Sequence, residues 1–274
     1  MKLAFTTLAC PQWDLETIIA RAVEYGYDGV DFRCYRGKLT LWEMPEFSTN
    51  LERTAGKLKE AKLEVPCLDC SADLAGNPDW AVKEIQFFLP ICRGLGARML
   101  RVFGGAVKGK TAAESIDTAA ETLRRVIPVA RDQGVQIVVE THDYWIDTEP
   151  LRQLMKRVNS PQVGVLWDVH HPFRVQGEPP TTTWQRIGKW VRYTHFKDSA
   201  EKPGAPEGFE YCLAGQGTVP IREIVDCLRQ GGYDGYLALE WEKMWVPDLA
   251  EPEVALPAYA GFMKGLLGPT PKKR

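Results

Sequence analysis

The chain has 274 residues, and its 34 Lys and Arg against 36 Asp and Glu leave a formal net charge of −2, with no basic surface for a polyanion. Its 45% of hydrophobic residues suffices for a sizeable core in one large α/β domain, and 24 Gly and 19 Pro scattered without a period exclude disordered and fibrous classes. The longest apolar runs fall far short of the ~20 residues of a membrane span, so no membrane or nucleic-acid partner and a cytoplasmic location are expected.

The opening Met1–Cys10 stretch is too short for a signal core and reads as a first strand. Further apolar or β-branched runs follow at 28–34, 64–69, 97–103, 135–141, 162–168, 191–197 and 235–241, the first lying at 2–8. Amphipathic patterns at 15–25, 51–61, 80–95, 112–132, 150–158, 182–189, 219–230 and 252–267 read as helices between and after them. Gly26, Gly96, Gly134 and Gly231 follow four of these segments, where a helix takes a left-handed cap. The phrases Tyr25-Gly26-Tyr27-Asp28-Gly29-Val30 and Gly232-Tyr233-Asp234-Gly235-Tyr236-Leu237 mark two equivalent helix-to-strand turns. Eight βα units in about 250 residues is the arithmetic of a closed (β/α)8 TIM barrel, and neither GxGxxG nor a Walker sequence follows any strand. One barrel domain over residues 1–267 is expected, with a solvated basic tail at 268–274.

Such barrels place their active sites at the C-terminal ends of the strands. Strand five ends in Glu140-Thr141-His142-Asp143, and strand six in Asp168-Val169-His170-His171. Strand seven ends in His195-Phe196-Lys197-Asp198, and strand eight in Glu240-Trp241-Glu242. Any one of these acids, taken alone, reads as a helix cap or an arginine partner. Their coincidence on four successive strands calls for a cation, because a barrel lumen cannot hold unpaired carboxylates cheaply. The expected ligands are Glu140, Asp168, His195 and Glu240. One imidazole and three carboxylates suit a single divalent ion, Mn²⁺ first, with Mg²⁺, Co²⁺ or Zn²⁺ as alternatives.

These residues, with Gly215-Gln216-Gly217, Gly29-Val30-Asp31-Phe32-Arg33 and Arg98-Met99-Leu100-Arg101-Val102-Phe103-Gly104, resemble the sugar phosphate isomerase/epimerase family of xylose isomerase-like barrels. The resemblance runs over essentially the whole chain. It implies the same four metal ligands, proton transfer by Glu140 and Glu240, and contacts from His171 and Lys197 to substrate oxygens. It also implies a homo-oligomer, although no residue marks an interface. Two departures stand out: Asp31 where the family more often has Glu, and Gly215-Gln216-Gly217 where it often has Gly-Glu-Gly.

The chemistry expected is isomerisation or epimerisation of a sugar or sugar-like hydroxy-ketone through an enediolate. Elimination from a keto-sugar or inosose is the alternative, with His142, His171 or Tyr144 as the acid. An endonuclease IV-like nuclease needs further histidines, yet residues 1–141 contain none and none follows His195. A non-catalytic binding barrel fits poorly with an intact ligand set. His142 is expected at the substrate, and Arg33, Arg101 and Arg174 are candidate contacts to a substrate anion, with an ordinary ion pair as the alternative. Trp13, Trp42, Trp145, Trp167, Trp241 and Trp245 offer stacking walls for a sugar or plain core packing. The segment 198–217 is long enough for a lid over the site. Seven dispersed cysteines suit a reducing compartment, and Cys67 and Cys70, lacking a second pair, read as part of a strand end rather than a zinc site.

Overall fold

A computed structural model describes residues 1–105 and 109–268, so the expected tail beyond Gly268 lies outside the described residues. Eight parallel strands form the sheet: β1 (Lys2–Thr6), β2 (Gly29–Asp31), β3 (Cys67–Asp73), β4 (Met99–Phe103), β5 (Gln136–Glu140), β6 (Val163–Asp168), β7 (Val191–Phe196) and, after a hairpin, β10 (Tyr236–Leu239). Their order is β2-β1-β10-β7-β6-β5-β4-β3, and bridges from Gly29 to Glu64 and from Phe32 to Leu68 join the two ends into a ring. This is the TIM barrel expected from the alternation of strand and helix patterns.

The outer helices are α1 (Leu15–Tyr25), α2 (Leu51–Glu60), α3 (Pro78–Leu95), α4 (Ala112–Asp132), α5 (Thr148–Val158), α7 (Pro180–Ile187), α8 (Ile221–Gln230) and α9 (Pro252–Leu267). Local chemistry starts and stops them. The Asp14 carboxylate accepts the Thr17 N–H at 2.9 Å to begin α1, and Gly26 ends it in the left-handed region at φ 73°. Thr111 and Glu114 form a reciprocal capping box on α4. In α8, Ile221, Ile224, Val225 and Leu228 fall on one buried stripe, which fixes the face turned to the barrel. The left-handed residue after α8 is Gly232, one place later than the cap expected at Gly231.

Two features go beyond the sequence expectation. A short helix, α6 (His170–Arg174), follows β6 directly. The segment expected as a lid begins as an antiparallel hairpin, β8 (Asp198–Glu201) with β9 (Phe209–Cys212). Its root is tied by Asp198, whose carboxylate accepts N–H groups from Ser199, Gly215, Gly217 and Val219 at 2.8, 2.9, 3.0 and 3.2 Å. A Cβ at Gly217 would overlap that carboxylate, so the turn requires glycine there. The glutamine between the two glycines is compatible with this anchor, because the bonds come from backbone.

The barrel interior is layered by the period-two rule of a strand. Ala4, Cys67, Val138, Leu166, Tyr193 and Ala238 form an apolar layer inside the ring. Two residues further along the same strands stand Thr6, Asp69, Glu140, Asp168, His195 and Glu240, all buried. The floor is therefore dry, and the next layer toward the mouth is ionisable.

Candidate metal centre

Ligand atoms of Glu140, Asp168, His195 and Glu240 lie within 4.8 Å of one another, and none of these residues is more than 4% exposed. His195 is the hub. Its Nδ1 lies 3.3 Å from Glu240 and 3.6 Å from Glu140, while its Nε2 lies 3.2 Å from Asp31 and 3.7 Å from Asp69. The imidazole thus turns one nitrogen to the candidate ligands and the other to a carboxylate pair, the arrangement that fixes tautomer and ring angle in metal-binding histidines.

Asp168 divides its labour between two oxygens. Oδ1 accepts the N–H groups of His170 at 2.8 Å and His171 at 3.3 Å, so it caps α6 as a bland reading of a strand-end acid would have it. Oδ2 makes no hydrogen bond of sound geometry, and the same holds for both Glu140 oxygens and for His195 Nδ1. These oxygens have cations near them, Lys197 at 3.0 Å from Asp168 and Arg101 at 3.2 Å from Glu140, but no hydrogen bond of sound geometry. With His195 Nδ1 they make the oxygen and nitrogen donor set that a divalent cation takes, so the residues present fit such an ion.

The cations around this set differ in kind. Arg101, 1% exposed, sets Nη2 3.4 Å from Asp69, Nε 3.2 Å from Glu140 and donates Nη1–H to the Cys70 carbonyl at 3.1 Å. It is clamped between two strands and stacked 4.1 Å from the Phe103 ring centre, held as a carboxylate partner. Lys197 Nζ reaches Glu240 at 2.5 Å, Glu242 at 2.6 Å and Asp168 at 3.0 Å, with His171 Nε2 at 3.4 Å. It therefore lies within the candidate ligand cluster itself.

Burial pushes Glu140 up, but Arg101, aided by His195 and His142, outweighs it and holds the carboxyl at about 2. Burial likewise opposes the charge on Glu240, yet Lys197 and His195 keep it ionised, well below the usual range. Asp168 goes the other way, to about 7, because burial and the Glu240 and Glu140 charges exceed the pull of Lys197 and His195. Asp31 also rises to about 7, through burial and the neighbouring Asp69 charge. His171 is held neutral by burial and by Lys197. For His142, burial is overcome by the hydrogen bond to Asp143 and by Glu140, and its pKa is raised.

The remaining expected residues divide between the mouth and the surrounding scaffold. His171 donates Nδ1–H to the Thr141 carbonyl at 3.2 Å, and its ring meets that of His142 at 4.8 Å. Both line the cleft at the mouth. Arg33 is buried beside Arg101, with Nη1 unpartnered. Arg174 instead bonds Ser199 and Thr218 and braces the hairpin. Of the six tryptophans singled out, Trp241 and Trp245 line the cleft. Trp145 and Trp167 are buried in the core, Trp13 and Trp42 pack against it, and Trp42 stacks on Phe87. Cys67 and Cys70 direct their thiols to the Leu68 and Arg101 carbonyls.

Sequence reasoning missed Asp69 as a member of the site. Its signal was present, since Asp69 stands two residues after Cys67 on a strand whose inward positions alternate.

The model of the xylose isomerase-like TIM barrel family matches residues 19–264, and the chain belongs to that family. It is 28% identical over 138 residues to an inosose dehydratase of Lacticaseibacillus casei, covering 45% of this chain and 46% of that protein. The chain thus spans about half the length of the first curated relatives it matches. Over 268 residues it is 25% identical to the fructoselysine 3-epimerase of Escherichia coli O157:H7, covering 90% of this chain and 92% of that one. Among solved structures, an IOLI protein with a binding zinc atom superposes with a TM-score of 0.79 at 17% identity, over 97% of this chain and 98% of that one. Among the described residues, no helix is long and apolar enough to cross a membrane.

Proposed function

We propose that the chain is a divalent-metal-dependent isomerase or epimerase of a sugar or sugar-like hydroxy-ketone, with Glu140 and Glu240 moving the proton. The observation that carries this reading is the buried layer of three carboxylates and one imidazole, with orphaned inward atoms, at the ends of four successive barrel strands. A divalent ion held by Glu140, Asp168, His195 and Glu240, with Mn²⁺ the first candidate, supplies Lewis acidity that polarises a carbonyl and its neighbouring hydroxyl.

Glu140 and Glu240 stand on strands separated by β7 and β6, so they approach a substrate carbon from different sides of the lumen. Both are held ionised, ready to accept a proton from an acidified α C–H. One takes the proton from the α-carbon, and the other, after taking up a proton from water, delivers that proton. Return to the same carbon with inversion is epimerisation, and return to the neighbouring carbon is isomerisation. The Lys197 ammonium, fully desolvated beside Glu240 and Asp168, supports negative charge on an enediolate oxygen. His171, kept neutral with its Nδ1–H on the Thr141 carbonyl, leaves Nε2 to accept from a substrate hydroxyl, and the free Arg33 Nη1 is a donor.

A dehydratase is the second reading. His142 has its pKa raised by Asp143 and Glu140 and lines the cleft, which suits an acid for a leaving hydroxyl on the β-carbon. The partial similarity to an inosose dehydratase supports it.

The test is solvent-deuterium exchange by the Mn²⁺-loaded protein on a panel of ketoses, sugar acids, inososes and 3-keto-glycosides, read by NMR after the protein is removed. Deuterium at an α-carbon with an epimer or isomer is the expected result. An unsaturated product would transfer the assignment to the dehydratase reading. No exchange by protein that holds stoichiometric metal would refute both.

A further inference from the structure

The barrel mouth opens into a cleft of about 820 Å³ that starts at His142, His171 and Glu242 and runs outward between the β8–β9 hairpin and the loop after β10. Pockets of roughly 300–1,000 Å³ hold drug-sized ligands, and a hexose of about a dozen non-hydrogen atoms fills only a small part of such a space. The outer walls are made by Tyr211, Leu213, Trp241, Trp245, Val246 and Leu249. Trp241 is buried, with its indole N–H donated to the Ala250 carbonyl at 2.9 Å, whereas Trp245 is 51% exposed and presents its ring to the opening.

The charge of this outer region has one sign. Glu207, Glu210, Glu242 and Asp248 line it, and no Lys or Arg does among the described residues. Glu210 is met by Lys202 and Glu242 by Lys197, which leaves Glu207 and Asp248 exposed at the rim. Such a rim repels a phosphate or carboxylate, while an exposed indole beside leucine side chains favours an apolar face.

Resting on the reading that the inner site takes a keto-sugar, we infer that this sugar carries a bulky, non-anionic apolar or aromatic substituent, seated in an outer subsite built from Trp245, Tyr211 and Leu249. The inner end of the cleft is lined by His171, whose Nε2 lies 3.8 Å from Asp168, and by Glu242, which meets Lys197, so a sugar seated there neighbours the metal centre while its substituent lies in the subsite. A free or phosphorylated monosaccharide leaves the outer cleft unfilled or meets its acidic rim.

Equilibrium binding separates this inference from the chemistry. Calorimetric titration of the Mn²⁺-loaded protein with phenyl β-glucoside, methyl β-glucoside and methyl β-glucoside 6-phosphate uses probes with no free carbonyl to enolise. The phenyl glucoside is expected to bind about tenfold more tightly than the methyl glucoside, equivalent to about 1.4 kcal/mol, with the phosphate weakest. Trp245→Ala should reduce the phenyl preference to within about threefold, and a Glu207→Lys, Asp248→Lys double variant should bring the phosphate closer to the methyl glucoside. A phenyl glucoside that binds no better than the methyl glucoside, or not at all, overturns the inference, as does a phosphate that binds best. Failure of deuterium exchange alongside an intact phenyl preference would strike the proposed reaction and leave the subsite standing.

Discussion

On β2, β3 and β4 and just beyond β2, two carboxylates and two guanidiniums are buried together: Asp31 and Asp69 with Arg33 and Arg101. At the ends of β5, β6, β7 and β10, Glu140, Asp168 and Glu240 share theirs with His195 and Lys197, and Glu242 joins the same ammonium. The first half balances its charges with groups that cannot lose them, since arginine stays protonated in proteins. The second half sets four carboxylates, Glu242 included, against one ammonium and a titratable imidazole, while both halves leave buried polar atoms without hydrogen-bond partners. On the proposed reading, one half is a support and the other a receptor for positive charge. His195 joins the two, with one nitrogen facing each.

The strongest way to break this contrast is to neutralise an acid of the receptor half. Glu140→Gln and Glu240→Gln should each lower deuterium exchange by about 10³-fold or more, the scale of a lost general base, while the thermal transition moves little. Exchange at the normal rate in either variant would remove that glutamate from proton transfer. On the support side the largest effect should fall on stability. Arg101→Met leaves Asp69 and Glu140 buried without their cation and should cost about 3–5 kcal/mol in urea unfolding, with or without added metal. A loss below about 1 kcal/mol would mean that Arg101 is free to act elsewhere, as the expected substrate contact.

The receptor half was legible in the sequence because its residues follow unbroken apolar runs. Val138-Val139-Glu140 and Val165-Leu166-Trp167-Asp168 announce both strand and strand end, and period two then places the acid in the lumen. The support half was harder to read. Strand β2 is only three residues long, and Asp69 sits between two cysteines whose spacing suggests a different chemistry. Arg101 was recognised as a mouth residue, but its clamp on two neighbouring strands depends on pairings that local pattern does not contain. The hairpin after β7 has few β-branched residues, and its fold rests on the Asp198 carboxylate collecting backbone groups from as far as Val219, a long-range arrangement with no local signature.

A smaller effect tests the joint between the halves. If Asp31 orients His195 through Nε2, Asp31→Asn should weaken Mn²⁺ binding by about 10- to 100-fold in calorimetric titration, with folding retained. The same variant should lower exchange only at subsaturating metal. Unchanged affinity would show that Asp69 or packing alone holds the ring.

The finest distinction is the location of a proton. Asp168 and Asp31 are each raised to about 7, one in each half, and burial is the leading cause for both. Only Asp168 is a proposed ligand, and a ligand must be deprotonated to bind. Below about pH 7 a cation competes with the proton on Asp168 and also with the one on His195, where burial is outweighed by Glu240, Asp69 and Asp31, which hold the imidazole well above its usual value. Affinity should therefore fall as pH falls, by about tenfold per unit for each displaced proton. Calorimetry in buffers of different ionisation enthalpy reads the proton release directly. Asp31→Asn removes the other carboxyl from the count. Its affinity should be lower at every pH while the slope between pH 5 and about 7 persists, because the displaced proton belongs to the receptor half. A slope that vanishes in Asp31→Asn would place that proton on the support half and make the two carboxylate groups a single titrating unit across His195.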